Sequence, residues 1–421
     1  MNKSKIIAAV VSAAAFAGIL SSCSAAETND TPVKTGDLTA AAARVEHAEA
    51  AYSTGEISGS FNSAFLKEYL KEQDSFVISP LSAKLAVSMA AAGADSGTGT
   101  EKELLDLFGY GTKEDMLSDC GGIVAELNAS ENIDTANSAW ISDRLNGFND
   151  SYGDTLKGVF SADFFTQDLS SEKFVKELNG WVSDNTKKMI PKLLNEPLSE
   201  DARLALVNAL YFKNEWLFKF DEYSTHDRDF YGKSGTVQVP TMYLAERLQY
   251  SEGKKFKSVV MLYKDGSYMT VYLPLDENAR IADLIAEMSV EELNAELEAD
   301  YDMADVVLSM PKFECESGGS LLEMLERLGV RDAFDPSAAA FGEMTDGTEA
   351  LYISKIIQAA KIVCNEEGTE AAAATLVAMD AGGAMPVKDT IEFTVDRPFL
   401  YEIKTASGET LFMGVMQDIN S

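Results

Sequence analysis

The chain has 421 residues, 46% hydrophobic and 9% aromatic, which is enough apolar material for a large packed core and excludes a wholly disordered protein. Its formal net charge of -33 excludes nucleic acid as a partner, because phosphate binding needs clustered Lys and Arg. By the usual size of domains, length alone suggests two or three.

The N-terminus comes first. Met1 to Lys5 carries two lysines and Ile6 to Leu20 is mostly apolar, too short to span a bilayer comfortably and shaped like a secretion signal. It ends Leu20, Ser21, Ser22, Cys23, an order that resembles a bacterial lipobox, with Cys23 as the lipid-bearing residue. The alternative is an ordinary signal with a chance cysteine. Ser24, rather than aspartate, follows that cysteine. Residues 1–22 are therefore expected to be a signal peptide and 23–55, rich in Ala, Thr, Glu and Asp, an acidic solvated tether. Loss of Lys3 and Lys5 with the signal leaves 33 basic against 68 acidic side chains. Such a surface favours cationic partners kinetically, and serves plain solubility equally well.

Helical spacing of Phe61, Phe65, Leu66, Tyr69 and Leu70 predicts a first core helix over 58–72. A buried helix follows over 79–92, with Pro80 in its first turn. The segment 174–194 reads as a third helix with Trp181 inward, stopped or bent near Pro191. Strand-like runs cover 203–212, 258–262, 269–273, 306–310, 350–363, 390–396, 400–405 and 411–416, and 321–328 is a short helix closed by Gly329. Helices dominate the first half and strands the second, an α+β pattern without internal repeats.

Catalytic chemistry is missing. Only His47 and His226 occur, and no G-x-S-x-G, so a histidine-based triad or His-rich metal site is excluded. Residues 93–100 imitate a phosphate loop, but no lysine directly follows the last glycine. No enzyme, metal or cofactor is expected.

The informative stretch is Glu366, Glu367, Gly368, Thr369, Glu370, Ala371, Ala372, Ala373, Ala374, Thr375. Propensity alone favours an alanine-rich helix. As a strand, Thr369, Ala371, Ala373 and Thr375 would share one face, with Glu370, Ala372 and Ala374 on the other. Small groups on both faces could slip between existing strands.

This run, together with FTVDRPFLY at 393–401, FVISPLS at 76–82, NALYFKNEW at 208–216, VPTM at 239–242 and MPKF at 310–313, resembles the serpins over residues 56 to 419, and more narrowly a bacterial inhibitory serpin carried as a lipoprotein. The resemblance implies one domain over 56–421: an α+β serpin fold of three β-sheets with surrounding helices and an exposed reactive-centre loop. It also implies an irreversible suicide-type inhibitor of serine proteases. The loop is cleaved as bait, and it then enters the central sheet with the protease still esterified to it. About 17 residues at about 3.3 Å each span roughly 55 Å of strand, enough for so large a transfer.

By resemblance, residues 366–375 are the hinge of that loop, with Thr369 the first side chain to enter. Trp216 sits where entry begins, and Lys312 pairs with Glu366. Ser79, Ser82 and Asn208 belong to the polar cluster through which the sheet parts; there the family's usual histidine is replaced by Gln358, which cannot gain charge near neutral pH. Lys312 opposite Glu366 would put Cys315 opposite Val363, so Cys315 and Cys364 would point to opposite faces and form no disulfide.

Counting along the hinge sets the scissile bond after Gly382, with Ala381, Gly383, Met379 and Met385 as the other candidates. The candidate window runs from Ala378 to Val387, and its Ala, Met, Gly and Val suit elastase-like or subtilisin-like proteases better than trypsin-like ones. Residues 112–127, near where some relatives carry a basic helix, hold Lys113 among Glu114, Asp115, Asp119 and Glu126, which argues against a heparin-like cofactor. The protein is expected to be a monomer, secreted or lipid-anchored at the cell surface, touching membrane only through Cys23. The alternatives are a non-inhibitory serpin acting as a binding or carrier protein, and, from Cys23 and the tether alone, a two-lobed solute-binding lipoprotein.

Overall fold

The structure is a computed structural model that describes residues 55–145, 149–345, 351–369 and 390–419. Helix α1 (Gly55–Leu70) buries Phe61, Phe65, Leu66 and Tyr69, leads to strand β1 (Phe76–Ile78), and is followed by α2 (Pro80–Ala92). Every residue of α2 is buried, so it is a core helix with no solvent face. Ser79 caps it by accepting from the Ser82 amide, and Pro80 takes the first turn, where a missing N–H costs nothing.

Helices α3 (Gly99–Asp106) and α4 (Lys113–Ala129) follow, then β2 (Ile133–Ser142), α5 (Asp150–Phe160), β3 (Asp163–Gln167) and α6 (Glu172–Asn185). The expected helix over 174–194 thus stops at Asn185. Thr186 turns its hydroxyl back onto the Val182 carbonyl, and Lys187 and Lys188 adopt left-handed backbone, ending the helix before Pro191 is reached. Trp181 is half-buried against the apolar cluster under this helix, as expected of an inward side chain, and its indole N–H donates to Asp163 at 2.9 Å.

The rest is mostly strand: β4 (Leu204–Phe212), β5 (Asn214–Glu215), β6 (His226–Gly232), β7 (Gly235–Glu252), β8 (Phe256–Leu262) and β9 (Tyr268–Pro274). After α7 (Ile281–Glu287) and α8 (Val290–Leu297) come β10 (Asp302–Pro311), β11 (Phe313–Ser320), α9 (Leu322–Arg327), β12 (Ile353–Cys364), β13 (Gly368–Thr369), β14 (Ile391–Thr394), β15 (Phe399–Lys404) and β16 (Thr410–Met416).

Among the described residues these form two hydrogen-bonded sheets, not three separate ones. The larger runs β1-β16-β15-β9-β8-β7-β10-β14, with β6 also on β7. One end of β7 pairs with β8 and the remainder with β10 and β6, which joins what would otherwise be two sheets. The second runs β3-β2-β4-β12-β13-β5, with β11 on the far edge of β12. Helix α2 lies between the sheets, against β4 and β16. Helix α6 covers the opposite face of the second sheet, where Phe174, Leu178 and Val182 pack with Ala205 and Val207 of β4 and Ile357 and Ala359 of β12.

The β11–β12 register corrects one expectation. Phe313 faces Cys364 and Cys315 faces Ile362, one residue away from the pairing inferred through Lys312 and Glu366. Those two lie beyond the ladder, in the turns that leave it. Directly opposed residues share a face in antiparallel pairs, so Cys315 and Cys364 point to the same side, both near Tyr401. They are nonetheless free thiols, as is Cys120. Burial pushes Cys120 up to about 11, Cys315 up to about 12, and Cys364 up as well. These three thiols should therefore be inert to Ellman's reagent at pH 8 in the native protein and titrate fully in denaturant, with non-reduced peptide maps showing no Cys315–Cys364 link.

Candidate functional site: two polar clusters along one seam

Parallel strands β4 and β12 pair from Leu204/Ile353 up to Ala209/Ala359 and no further. Above that point β12 has another neighbour. The chain turns at 365–367 and returns as β13, antiparallel to β12, with Thr369 opposite Cys364. The other edge of β13 pairs with β5, Gly368 opposite Glu215 and Thr369 opposite Asn214. Two residues of the expected hinge, Gly368 and Thr369, thus lie in the sheet, and Thr369 is 2% exposed. Glu370, Ala371, Ala372, Ala373, Ala374, Thr375 and the scissile candidates Met379, Ala381, Gly382, Gly383 and Met385 lie outside the described residues, as does Cys23.

The turn is built from its own side chain. Asn365 Oδ1 accepts from the amides of Glu367 (3.0 Å) and Gly368 (3.3 Å), while its own amide donates to the Gly368 carbonyl at 3.0 Å. Gly368 passes so close to β5 that a Cβ would stand 2.0 Å from the Asn214 carbonyl oxygen. Only glycine fits there.

Trp216 anchors this upper cluster. Its ring stacks on Tyr263 at 4.3 Å and 12°, worth about 0.5–1.5 kcal/mol beyond the area buried. Its indole N–H donates to the Asn365 carbonyl at 2.9 Å and its amide to the Glu367 carbonyl at 2.9 Å. The Tyr263 hydroxyl meets Thr369 Oγ1 at 2.6 Å, so tryptophan, tyrosine and threonine form one chain of contacts from β5 to the hinge. Burial holds the Tyr263 phenol well above its ordinary value, so it stays neutral.

Charges tie the same turn down. Lys312 Nζ is 2.9 Å from Glu366, and the Thr225 hydroxyl donates to the same carboxylate at 2.9 Å. Burial alone would raise the Glu366 carboxyl, but hydrogen bonds from Lys312, backbone and Thr225 hold it below its ordinary value. Lys219 pairs with Glu367 and, at 2.9 Å, with Glu215, which Lys264 also meets at 2.5 Å.

The second cluster lies about 20 Å down β12, six residues below Cys364. Gln358 donates through Nε2 to the Ser79 carbonyl at 2.6 Å and accepts the Ser79 amide at 3.2 Å, fastening β12 to the start of α2. Asn208 faces Gln358 across the seam and donates to Asn137 on β2 at 2.7 Å. Ser79, Ser82, Asn208 and Gln358 are thus brought together, while Trp216 and Lys312 belong to the upper cluster. Asn208 Oδ1 and Ser82 Oγ are buried without a partner, leaving spare hydrogen-bonding capacity at the seam.

Sequence reasoning missed Tyr263, Thr225, Lys219, Asn365 and Asn137. Of these only Lys219 carried a local signal, four residues after Glu215.

Comparison with known proteins agrees with this geometry. The sequence profile described as Serpin (serine protease inhibitor) matches residues 56–419. The chain is a serpin. Its family is one of protease inhibitors rather than catalysts. Iripin-5 of Ixodes ricinus is 32% identical over 349 residues, 80% of this chain and 87% of that relative. Leukocyte elastase inhibitor A of Mus musculus is 32% identical over 351 residues, 80% of this serpin and 91% of its own length. The thermophilic serpin tengpin in its native state superposes with a TM-score of 0.77 at 28% identity, covering 86% of this chain and 93% of that one. The serpin fold rules out the two-lobed solute-binding reading.

Replacing Lys312 with Ala should destabilise the native serpin by about 1–2 kcal/mol at pH 7, the lower end reflecting solvent screening of a lysine two-fifths exposed. Because the Glu366 carboxyl is depressed in the fold, the pair contributes fully above its ordinary value of 4.5 and is lost as pH falls through the depressed one. Urea midpoints of parent and variant should differ at pH 7 and converge in acid.

Proposed function

We propose that this serpin inhibits serine proteases by loop cleavage and insertion, with residues 366–375 as the hinge. One observation carries this reading: β13 begins between β12 and β5 and points down the seam toward Ala209/Ala359. Continuing the β12 register would set Thr375 opposite Gln358, and continuing the β5 register would independently set Thr375 opposite Asn208, which already face one another. Strand insertion as far as Thr375 would then part that pair with a hydroxyl, supplying a partner for the vacant Asn208 Oδ1 or Ser82 Oγ. On the way Ala371 and Ala373 would meet the buried face of β12, opposite Ile362 and Ala360, which are both fully buried.

On this reading the native state is higher in free energy than the inserted one and is retained by a kinetic barrier. The native ladder stops short of what the chain could form, and completing it requires the seam under α6 to open. On this reading, cleavage frees residues 370 onward to follow β13 into the seam. The unbranched candidates from Met379 to Met385 support an elastase-like or subtilisin-like target, consistent with a relative named leukocyte elastase inhibitor. The strong negative charge supports a cationic protease, and the order Leu20–Cys23 supports a bacterial, lipid-anchored or secreted protein whose Cys23 carries the lipid. Metabolic labelling with a palmitate analogue, in parent and Cys23→Ser, reads the last point directly.

Ala373→Arg should convert the molecule from inhibitor to substrate, since insertion would set an unpaired guanidinium opposite the fully buried Ala360 at a cost of several kcal/mol. A denaturing gel would show cleaved serpin in place of the covalent complex. Undiminished complex formation would sink the insertion mechanism. Gln358 cannot protonate in this range, so the insertion rate of the nicked chain should change less than about twofold between pH 7.5 and 5.5. A steep change would count against a passive glutamine at the seam.

A further inference from the structure

Three residues other than glycine have positive φ among the described ones: Ser161, Lys187 and Lys188. The last two are adjacent, at 47° and 68°, separated from the end of α6 only by Thr186. Left-handed backbone costs an L residue free energy, so two in succession persist only where their surroundings hold them, and such outliers collect at switches and functional sites. Thr186 supplies the hold. It is fully buried, and its hydroxyl donates to the Val182 carbonyl at 2.8 Å and accepts the Ile190 amide at 3.2 Å. The Lys188 amide donates back to the Ser183 carbonyl at 2.7 Å.

The turn so fixed carries Lys187 across to two strands. Its Nζ lies 2.5 Å from Asp134 on β2 and 4.9 Å from the centre of the Tyr211 ring on β4, and those two residues directly oppose one another in the β2–β4 ladder. A carboxylate beside an aromatic face is a complete seat for an ammonium. Around it α6 is not closely packed on β2: a cavity of about 220 Å³ lies there, lined by Asn128 and Ser130 near the end of α4, by Asp134 and Thr135, and by Asp184 and Asn185. The apolar contacts of α6 with the sheet fall lower, on Ala205, Val207, Ile357 and Ala359. Tyr211 lies beyond Ala209, the last β4 residue paired with β12.

We propose that Lys187 is a positioning residue for inhibition, whose bridge to Asp134 and Tyr211 latches the end of α6 over the closed seam and must let go before a strand can enter. This rests on the insertion reading above. Admitting a strand moves β4 and β12 apart by about 4.8 Å, and a helix packed on both cannot keep both contacts. The latch is built to yield: the Lys187 and Asp134 side chains are each roughly half exposed, so solvent and salt weaken the pair. Letting go also frees the left-handed turn to relax, which opposes immediate re-latching.

The test uses the full chain. Hydrogen exchange of the α6 amides should run about fivefold faster in Lys187→Met, where length is kept and charge lost, and within about twofold of the parent in Lys187→Arg, which restores both contacts. Asp134→Asn should give part of that increase and add nothing to Lys187→Met. Lys187→Gly, which relieves the backbone, should exchange as fast as Lys187→Met without lowering the thermal midpoint. For inhibition, Asp134→Cys with Lys187→Cys is bridged by a short bis-methanethiosulfonate linker, the native thiols being buried. Subtilisin, pancreatic elastase and trypsin are screened, and one that the parent captures is used. The bridged molecule should be cleaved as a substrate with about tenfold less covalent complex, and dithiothreitol should restore complex formation. Exchange in Lys187→Met within about twofold of the parent, or in Lys187→Arg as fast as in Lys187→Met, overturns the proposal. So does a lowered midpoint in Lys187→Gly, which means that the lysine only holds the fold together, or a bridged molecule that inhibits as well as the unbridged one. If the parent captures none of the three proteases, the insertion reading fails and the role in inhibition falls with it, while the exchange results still decide whether Lys187 latches α6.

Discussion

An incomplete β-ladder governs this molecule. Strands β4 and β12 are parallel neighbours that pair over their lower halves and then diverge, because β13 has been set between β12 and β5 above them. Backbone donors and acceptors in a sheet interior demand partners, so a seam left half-paired is a standing invitation to another strand. Position and direction of β13 make residues 370 onward the nearest candidate. Each feature around the seam bears on when that can happen.

Two kinds of restraint act at its two ends. At the top, Trp216, Tyr263, Lys312 and Asn365 hold the turn by stacking, ion pairing and backbone hydrogen bonds, so Gly368 and Thr369 are fixed between β12 and β5. Lower down, Gln358 and Asn208 face each other, each fastened to a different element, α2 through Ser79 and β2 through Asn137. Over the opposite face, α6 bridges both strands with one apolar cluster. Parting β4 from β12 therefore disturbs a helix cap, an amide pair and a packed layer at once. The kinetic barrier expected of a serpin has identifiable parts here.

Much of this was legible in the sequence, and the exceptions have physical causes. Strands with β-branched or aromatic runs, such as 203–212 and 400–405, fell within a residue or so of their observed limits, because burial on both faces leaves a continuous apolar signature. The hairpin of β6 and β7 did not announce itself: charged and apolar residues mix along it, since one face of β7 is solvated. Helix α6 stopped short of its expected end because Lys187 and Lys188 accept left-handed backbone, which propensity does not foresee. The register of β11 against β12 was off by one because a pair made in turns, Lys312 with Glu366, does not extend the ladder's count. Of the site, motif residues were readable, but the partners that orient them, Tyr263 and Asn137 above all, come from distant strands with nothing local to mark them.

Consider finally the cap at Ser79. The positive end of the α2 dipole points at the place where the Gln358 side-chain oxygen accepts the Ser79 amide, so widening the sheet also strips a helix terminus of a compensating acceptor. Since α2 is enclosed on all sides, that loss would not be made good by solvent, and on the proposed insertion it would last until Thr375 reached the seam. Under that proposal unzipping and refilling would be coupled: a partial opening would be poorly hydrated and short-lived, running either back to the starting arrangement or through to the end.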